Sequence, residues 1–111
     1  MRVSRGGPRD PRHRIAAFSI TPIGAGDSVS APVADAVRLV RDSGLPNETN
    51  AMFTNVEGPY DEVMGVIKRC VDHVASVAPR VSVVVKMDVL ADDPGGRMES
   101  KVRTVERHLS G

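Results

Sequence analysis

Between Arg14 and Thr21 the side chains alternate with a two-residue period. Ala16, Phe18 and Ile20 fall on one side and Ile15, Ala17, Ser19 and Thr21 on the other, which predicts a strand. The glycine-rich stretch PIGAGDSVSAP follows as a loop. Val33, Ala36, Val37 and Val40 then recur at helical spacing, with Ser30 as the expected N-cap, Pro32 in the first turn and Gly44 as the stop. Leu45 to Gly58 is extended, with room for two short strands parted by a break near Ala51 to Phe53. Pro59 suits the first position of a second helix, and Asp61 and Glu62 favour the positive end of its dipole. Its apolar stripe is Val63, Ile67, Cys70, Val71 and Val74. The β-branched run from Arg80 to Leu90 predicts another strand, ADDPGG breaks it, and Met98, Val102, Val105 and Leu109 mark a last helix.

This order predicts an α+β chain of ferredoxin-like type, a βαββαβ antiparallel sandwich with an extra C-terminal helix. Both main helices then cover one face of the sheet. In the last strand Val81, Val83, Val85, Met87 and Val89 have the parity suited to the helices, while Ser82, Val84, Lys86, Asp88 and Leu90 take the other face. That second face is neither wholly apolar nor wholly charged. Its mixed character implies sheets paired in an oligomer, with a site in or beside the contact.

Length and charge narrow the classes. With 111 residues there is room for one domain and one modest core. Residues 1–13 read as a disordered basic tail and 14–111 as a single domain: five Arg and one Asp crowd the first fourteen residues, leaving the remainder net acidic. A mildly acidic body with few aromatic rings excludes a dedicated nucleic-acid binder. No stretch approaches the roughly 18 apolar residues of a membrane span, so a soluble cytoplasmic protein is expected. The single cysteine, Cys70, excludes an intrachain disulfide and a cysteine metal cage. His13, His73 and His108 share no tight spacing, so neither a metal site, nor a Ser-His-Asp arrangement, nor any cofactor is expected.

Some residues stand out as candidate chemistry. The PIGAGDSVS loop lacks the Gly-Lys-Ser/Thr of a phosphate loop, and its Asp27 would repel an anion. Glu57 and Asp88 could be solvated or paired with Lys86 or Arg80. Alternatively, beside Ser19, Thr54 and Asn55, a carboxylate near a strand end could accept hydrogen bonds from a ligand amine. Phe53 and Tyr60 are the rings best placed to flank such a heterocycle, since Phe18 belongs by parity to the core.

Three segments, FSITPIGAGDSVSAPVADAVRLVRDSGL, AMFTNVEGPYDEVMGVIKRCVDHV and VSVVVKMDVL with KVRTVERHL, together resemble the thiamine-binding protein family of small ferredoxin-like proteins, related to the YkoF domain. The resemblance implies a cytoplasmic, non-enzymatic protein that binds thiamine or its hydroxymethylpyrimidine part and whose subunits pair through their sheets into dimers or tetramers. It places the family's Pro-x-Gly loop on Pro22 and Gly24, its serine before the first helix on Ser30, and its Gly-Thr-x-x-Glu-Gly on Phe53 to Gly58, with Phe53 in place of the glycine. The expected ligand-binding set is Ser19, Pro22, Gly24, Ser30, Phe53, Thr54, Asn55, Glu57 and Asp88. The alternatives are an enzyme on a paired ferredoxin-like sheet, such as a cofactor-free oxygenase or isomerase, and a structural or regulatory oligomer without a ligand.

Overall fold

The computed structural model describes residues 13–26 and 30–110. The tail up to residue 12 and the loop residues Asp27 to Val29 lie outside the described residues, and with them the expectations for the tail and for Asp27. The elements run β1 (His13–Ile23), α1 (Ser30–Asp42), β2 (Asn47–Thr49), β3 (Thr54–Pro59), α2 (Tyr60–Ala75), β4 (Arg80–Val89) and α3 (Arg97–Ser110). They form one four-stranded sheet in the order β2-β3-β1-β4, antiparallel at every pairing. The fold is ferredoxin-like.

β1 is central because its alternation can serve two neighbours at once. Ala16 lies opposite Val56 of β3 and Met87 of β4, and Phe18 opposite Thr54 and Val85. Those positions face α1 and α2. There Ala16, Phe18 and Val56 pack with Ala36 and Val40 of α1 and with Val63, Val66, Ile67, Cys70 and Val74 of α2. Aliphatic side chains fill this core in the near absence of rings. Cys70 belongs to it: its thiol donates to the Ala36 carbonyl at 3.3 Å, and burial pushes its pKa up to about 11. It is a packing group rather than a nucleophile.

Boundaries shift where local chemistry has a second option. Ser30 is the first residue of α1 rather than the residue before it. Pro59 does not open α2. At φ −57 and ψ 143 it stays extended, ends β3 opposite His13, and occupies the cap position ahead of Tyr60. The break expected near Ala51 to Phe53 is a tight connection, in which the Asn50 side-chain oxygen accepts from the Met52 and Phe53 amides, both at 2.9 Å. Across the outer surface of the helix layer, Asp35 of α1 meets His73 of α2 at 3.1 Å. No helix among the described residues is long and apolar enough to cross a membrane.

Gly24 sits where the chain leaves β1. Its φ of +82 is left-handed, and a β-carbon there would lie 2.8 Å from Cγ of Pro79. Gly24→Ala therefore costs about 1–2 kcal/mol for the backbone alone, and each kcal/mol lowers the melting midpoint by roughly 4–8 °C in a domain near this size. Thermal melting followed by circular dichroism checks this, and an unchanged midpoint would mean that the turn re-forms without positive φ.

Candidate functional site

Alternation along β3 decides where the candidate polar residues go. Thr54 and Val56 point to the helices, whereas Asn55 and Glu57 point to the open face, where they stand beside Ala17 and Ile15. The expected cluster is therefore divided by the thickness of the sheet.

On the helix side, a cavity of about 220 Å³ lies between α1, the end of β1 and the β2–β3 connection. Val33, Ala36, Val37 and Val40 form one wall, Phe18 to Thr21 another, and Thr49 to Thr54 the third. The Asn50 turn holds Phe53 in this third wall. Thr54 is buried, and its hydroxyl lies 3.4 Å from that of Thr49 on the neighbouring strand. Two hydroxyls that can each donate and accept thus share this lining with two aromatic rings, Phe18 and Phe53. None of the described residues lining this cavity is charged.

On the open side, a larger cavity of about 670 Å³ lies between the sheet and α3, lined by Ile15, Asn55 and Glu57 below and by Met98, Lys101 and Val102 above. Glu57 is only 1% exposed. A buried carboxylate needs partners, and it finds them in the backbone of α3: Oε2 accepts from the Arg97 amide at 2.7 Å and Oε1 from the Met98 amide at 3.3 Å. Glu57 thereby caps the helix from forty residues upstream, satisfying two of its orphan N–H groups and meeting the positive end of its dipole.

A second contact fixes the same helix end. Arg97 donates through Nε to Asp93 at 2.8 Å, through Nη1 to the Asp88 carboxylate at 3.1 Å and through Nη2 to the Asp88 carbonyl at 3.2 Å. Lys101, one turn on, reaches Asp88 at 2.9 Å. The Lys101 hydrogen bond, helped by the charges of Arg97 and Lys101, holds the Asp88 carboxyl below its ordinary 3.8. Gly95 and Gly96, at φ +83 and +72, make the turn that brings Arg97 into place.

The expected site residues thus separate into groups. Ser19, Phe53 and Thr54 line the helix-side cavity. Asn55 and Glu57 line the open-side cavity, and Asp88 stands at the α3 clamp. Pro22, Gly24 and Ser30 line neither and frame the connection between β1 and α1. Tyr60, the other ring expected near a heterocycle, instead faces the buried Arg14, whose guanidinium lies 5.1 Å from its centroid. Sequence patterning does not point to Thr49, Asn50, Asp93 or Arg97. A register argument could have found Thr49, which lies opposite Thr54.

These features define a small ferredoxin-like protein with an uncharged cavity of about 220 Å³ between its helix layer and its sheet. The chain belongs to the thiamine-binding protein family, which it matches over residues 16–106. The UPF0045 protein Mb1933 of Mycobacterium bovis is 53% identical over 98 residues, spanning 86% of this chain and 93% of that one. The crystal structure of the hypothetical protein MJ1052 of Methanocaldococcus jannaschii superposes with a TM-score of 0.77 at 34% identity, over 86% of this chain and 97% of its own. A candidate thiamine biosynthesis/salvage protein of Thermotoga maritima superposes at 0.70 with 19% identity, over 81% of this chain and 98% of its own, a likeness that bears on the fold alone.

Removing the Glu57 cap should loosen α3 while sparing the core. Hydrogen bonds to a charged acceptor contribute about 1.5–3 kcal/mol, so in Glu57→Ala the first amides of α3 should exchange about ten- to a hundredfold faster while those of Val63 to Val74 hold their rates. Hydrogen exchange read by mass spectrometry decides; equal acceleration in both segments would make Glu57 a global core residue instead. The Asp88 clamp adds a pH signature. Because its folded pKa is depressed, its contribution is complete above the unfolded value near 3.8 and disappears as pH falls through the folded value.

Proposed function

We propose that this protein binds a small uncharged heterocycle, the hydroxymethylpyrimidine part of thiamine or thiamine through that part, and holds it without turnover. The observation that carries this reading is the helix-side cavity, with its paired Thr49 and Thr54 hydroxyls, its two rings and no charge among its described lining. An aminopyrimidine presents one donor amine and ring-nitrogen acceptors, which threonine hydroxyls can match in either sense. Its flat face suits Phe53 or Phe18. At about 220 Å³ the cavity falls below the roughly 300–1,000 Å³ usual for drug-sized ligands, so one substituted ring fits better than two. A second, cationic ring would project past the exposed Asn50, Ala51 and Met52.

Membership of a family named for thiamine binding supports the ligand class. The described lining holds no group that titrates near neutral pH, which favours binding over proton-transfer catalysis. On this reading Phe53 and Thr54 are ligand contacts, Ser19 borders the cavity from a strand position with the parity of Ala17, Pro22, Gly24 and Ser30 frame the connection to α1, and Asn55, Glu57 and Asp88 serve the open face and α3. We place the protein in the cytoplasm, as a homo-oligomer. Self-association is favoured by the exposed Val84 of β4 and by Val102, Val105 and Leu109 of α3, a helix with no buried residue of its own.

Calorimetric titration with hydroxymethylpyrimidine and with thiamine tests the ligand. Both should bind, and Thr54→Val, which keeps the shape and removes the hydroxyl, should weaken binding by about three- to tenfold. Glu57→Gln should change the affinity by less than about twofold, because the pyrimidine does not touch it. Heat from neither ligand contradicts the function; loss of binding in Glu57→Gln with none in Thr54→Val contradicts the site.

A further inference from the structure

We infer that Met52, at the mouth of the helix-side cavity, is the residue that reads what is attached to the pyrimidine. Together with Val33 of α1 it packs on a second, aromatic ring, and so makes the protein prefer thiamine to hydroxymethylpyrimidine. This rests on the binding site proposed above and adds to it the residue that sets its selectivity.

Two kinds of residue line the cavity. Phe18, Ala36, Val40 and Thr54 are buried and close its floor. Met52 and Val33 line it too, yet Met52 is 74% exposed and Val33 36%, which puts them at its rim. Apolar side chains left singly in water are ordinary; here two from separate elements border the same opening. The Met52 backbone is not free to withdraw from it. Its amide donates to the Asn50 side-chain oxygen at 2.9 Å, the Phe53 amide donates to the same oxygen at 2.9 Å, and the Asn50 amide donates to the Phe53 carbonyl at 2.9 Å. These three bonds close the connection between β2 and β3 and hold Met52 at the rim, while its unbranched side chain stays free to adapt to what it meets.

The size of the cavity makes its rim matter. About 220 Å³ takes one substituted ring, so whatever that ring carries must leave through the mouth. In thiamine this is a thiazolium, aromatic and positively charged. Buried without a counter-ion it would lose its hydration at a large cost, and none of the described residues lining the cavity is charged. At the rim the ring keeps one side in water and offers the other to the thioether of Met52, a polarisable group that packs favourably against aromatic rings. The same contact removes apolar surface of Met52 and Val33 from water. The pyrimidine alone, seated on the floor, forgoes it.

Calorimetric titration of the native protein and of rim variants, with thiamine and with hydroxymethylpyrimidine, tests this. The native protein should bind thiamine more tightly. Met52→Ala should weaken thiamine by about two- to tenfold and hydroxymethylpyrimidine by less than about twofold, so that the two affinities converge. Met52→Leu, which keeps the bulk and loses the sulfur, should fall between the native protein and Met52→Ala, and Val33→Ala should act in the same sense as Met52→Ala. Because Met52 is exposed, its variants should melt with the native protein, which separates a lost contact from a lost fold. Equal losses for both ligands in Met52→Ala, or no loss for thiamine, overturn the inference. So does a native protein that binds hydroxymethylpyrimidine as tightly as thiamine, a result that leaves the proposed function standing. Heat from neither ligand takes down both.

Discussion

A four-stranded sheet presents its side chains alternately to two faces, and two helices can cover only one of them. Most of what distinguishes this molecule follows from that constraint. It sends Ala16, Phe18, Thr54 and Val56 to the helices, and Ile15, Ala17, Asn55 and Glu57 to the side the helices leave bare. The covered side becomes an aliphatic core with a small neutral cavity at one end. The bare side collects carboxylates and cations, which must find partners because part of it is still shielded from water.

α3 supplies those partners. Isolated helices of this length are marginal in water, and this one buries none of its own residues. What holds its first turn is polar: the buried Glu57 carboxylate beneath its leading amides, and the Arg97 fork reaching Asp93 and Asp88. Its far half, with Val102, Val105 and Leu109 exposed, has no such anchor among the described residues. The helix-side cavity lies on the opposite face of the sheet from α3.

Much of this was legible in the sequence where local patterning and tertiary context agree. The order of elements, the break at Ala51 to Phe53 and the face taken by Phe18 follow from periodicity and turn chemistry that the fold does not override. The partner of Glu57 was not legible, because it is a helix terminus forty residues away, delivered by a turn of two left-handed glycines whose path no periodicity encodes. The division of Thr54 from Glu57 is a different case. Residues three apart on a strand face opposite ways, so the sequence held that information, yet their shared polarity suggested one cluster. Pro59 shows the limit of boundary reading: its fixed φ suits a helix start and a strand end equally, and pairing with His13 decides for the strand.

The proposed ligand site lies on the helix side of the sheet. Two-dimensional NMR of the labelled protein during addition of hydroxymethylpyrimidine tests it most directly, since each backbone amide reports its own surroundings. The largest shifts are expected at Thr49, Phe53, Thr54 and the first two turns of α1, with Glu57, Arg97 and Lys101 nearly still. Shifts centred on Asn55, Glu57 and the start of α3 would move the site to the open face and contradict it.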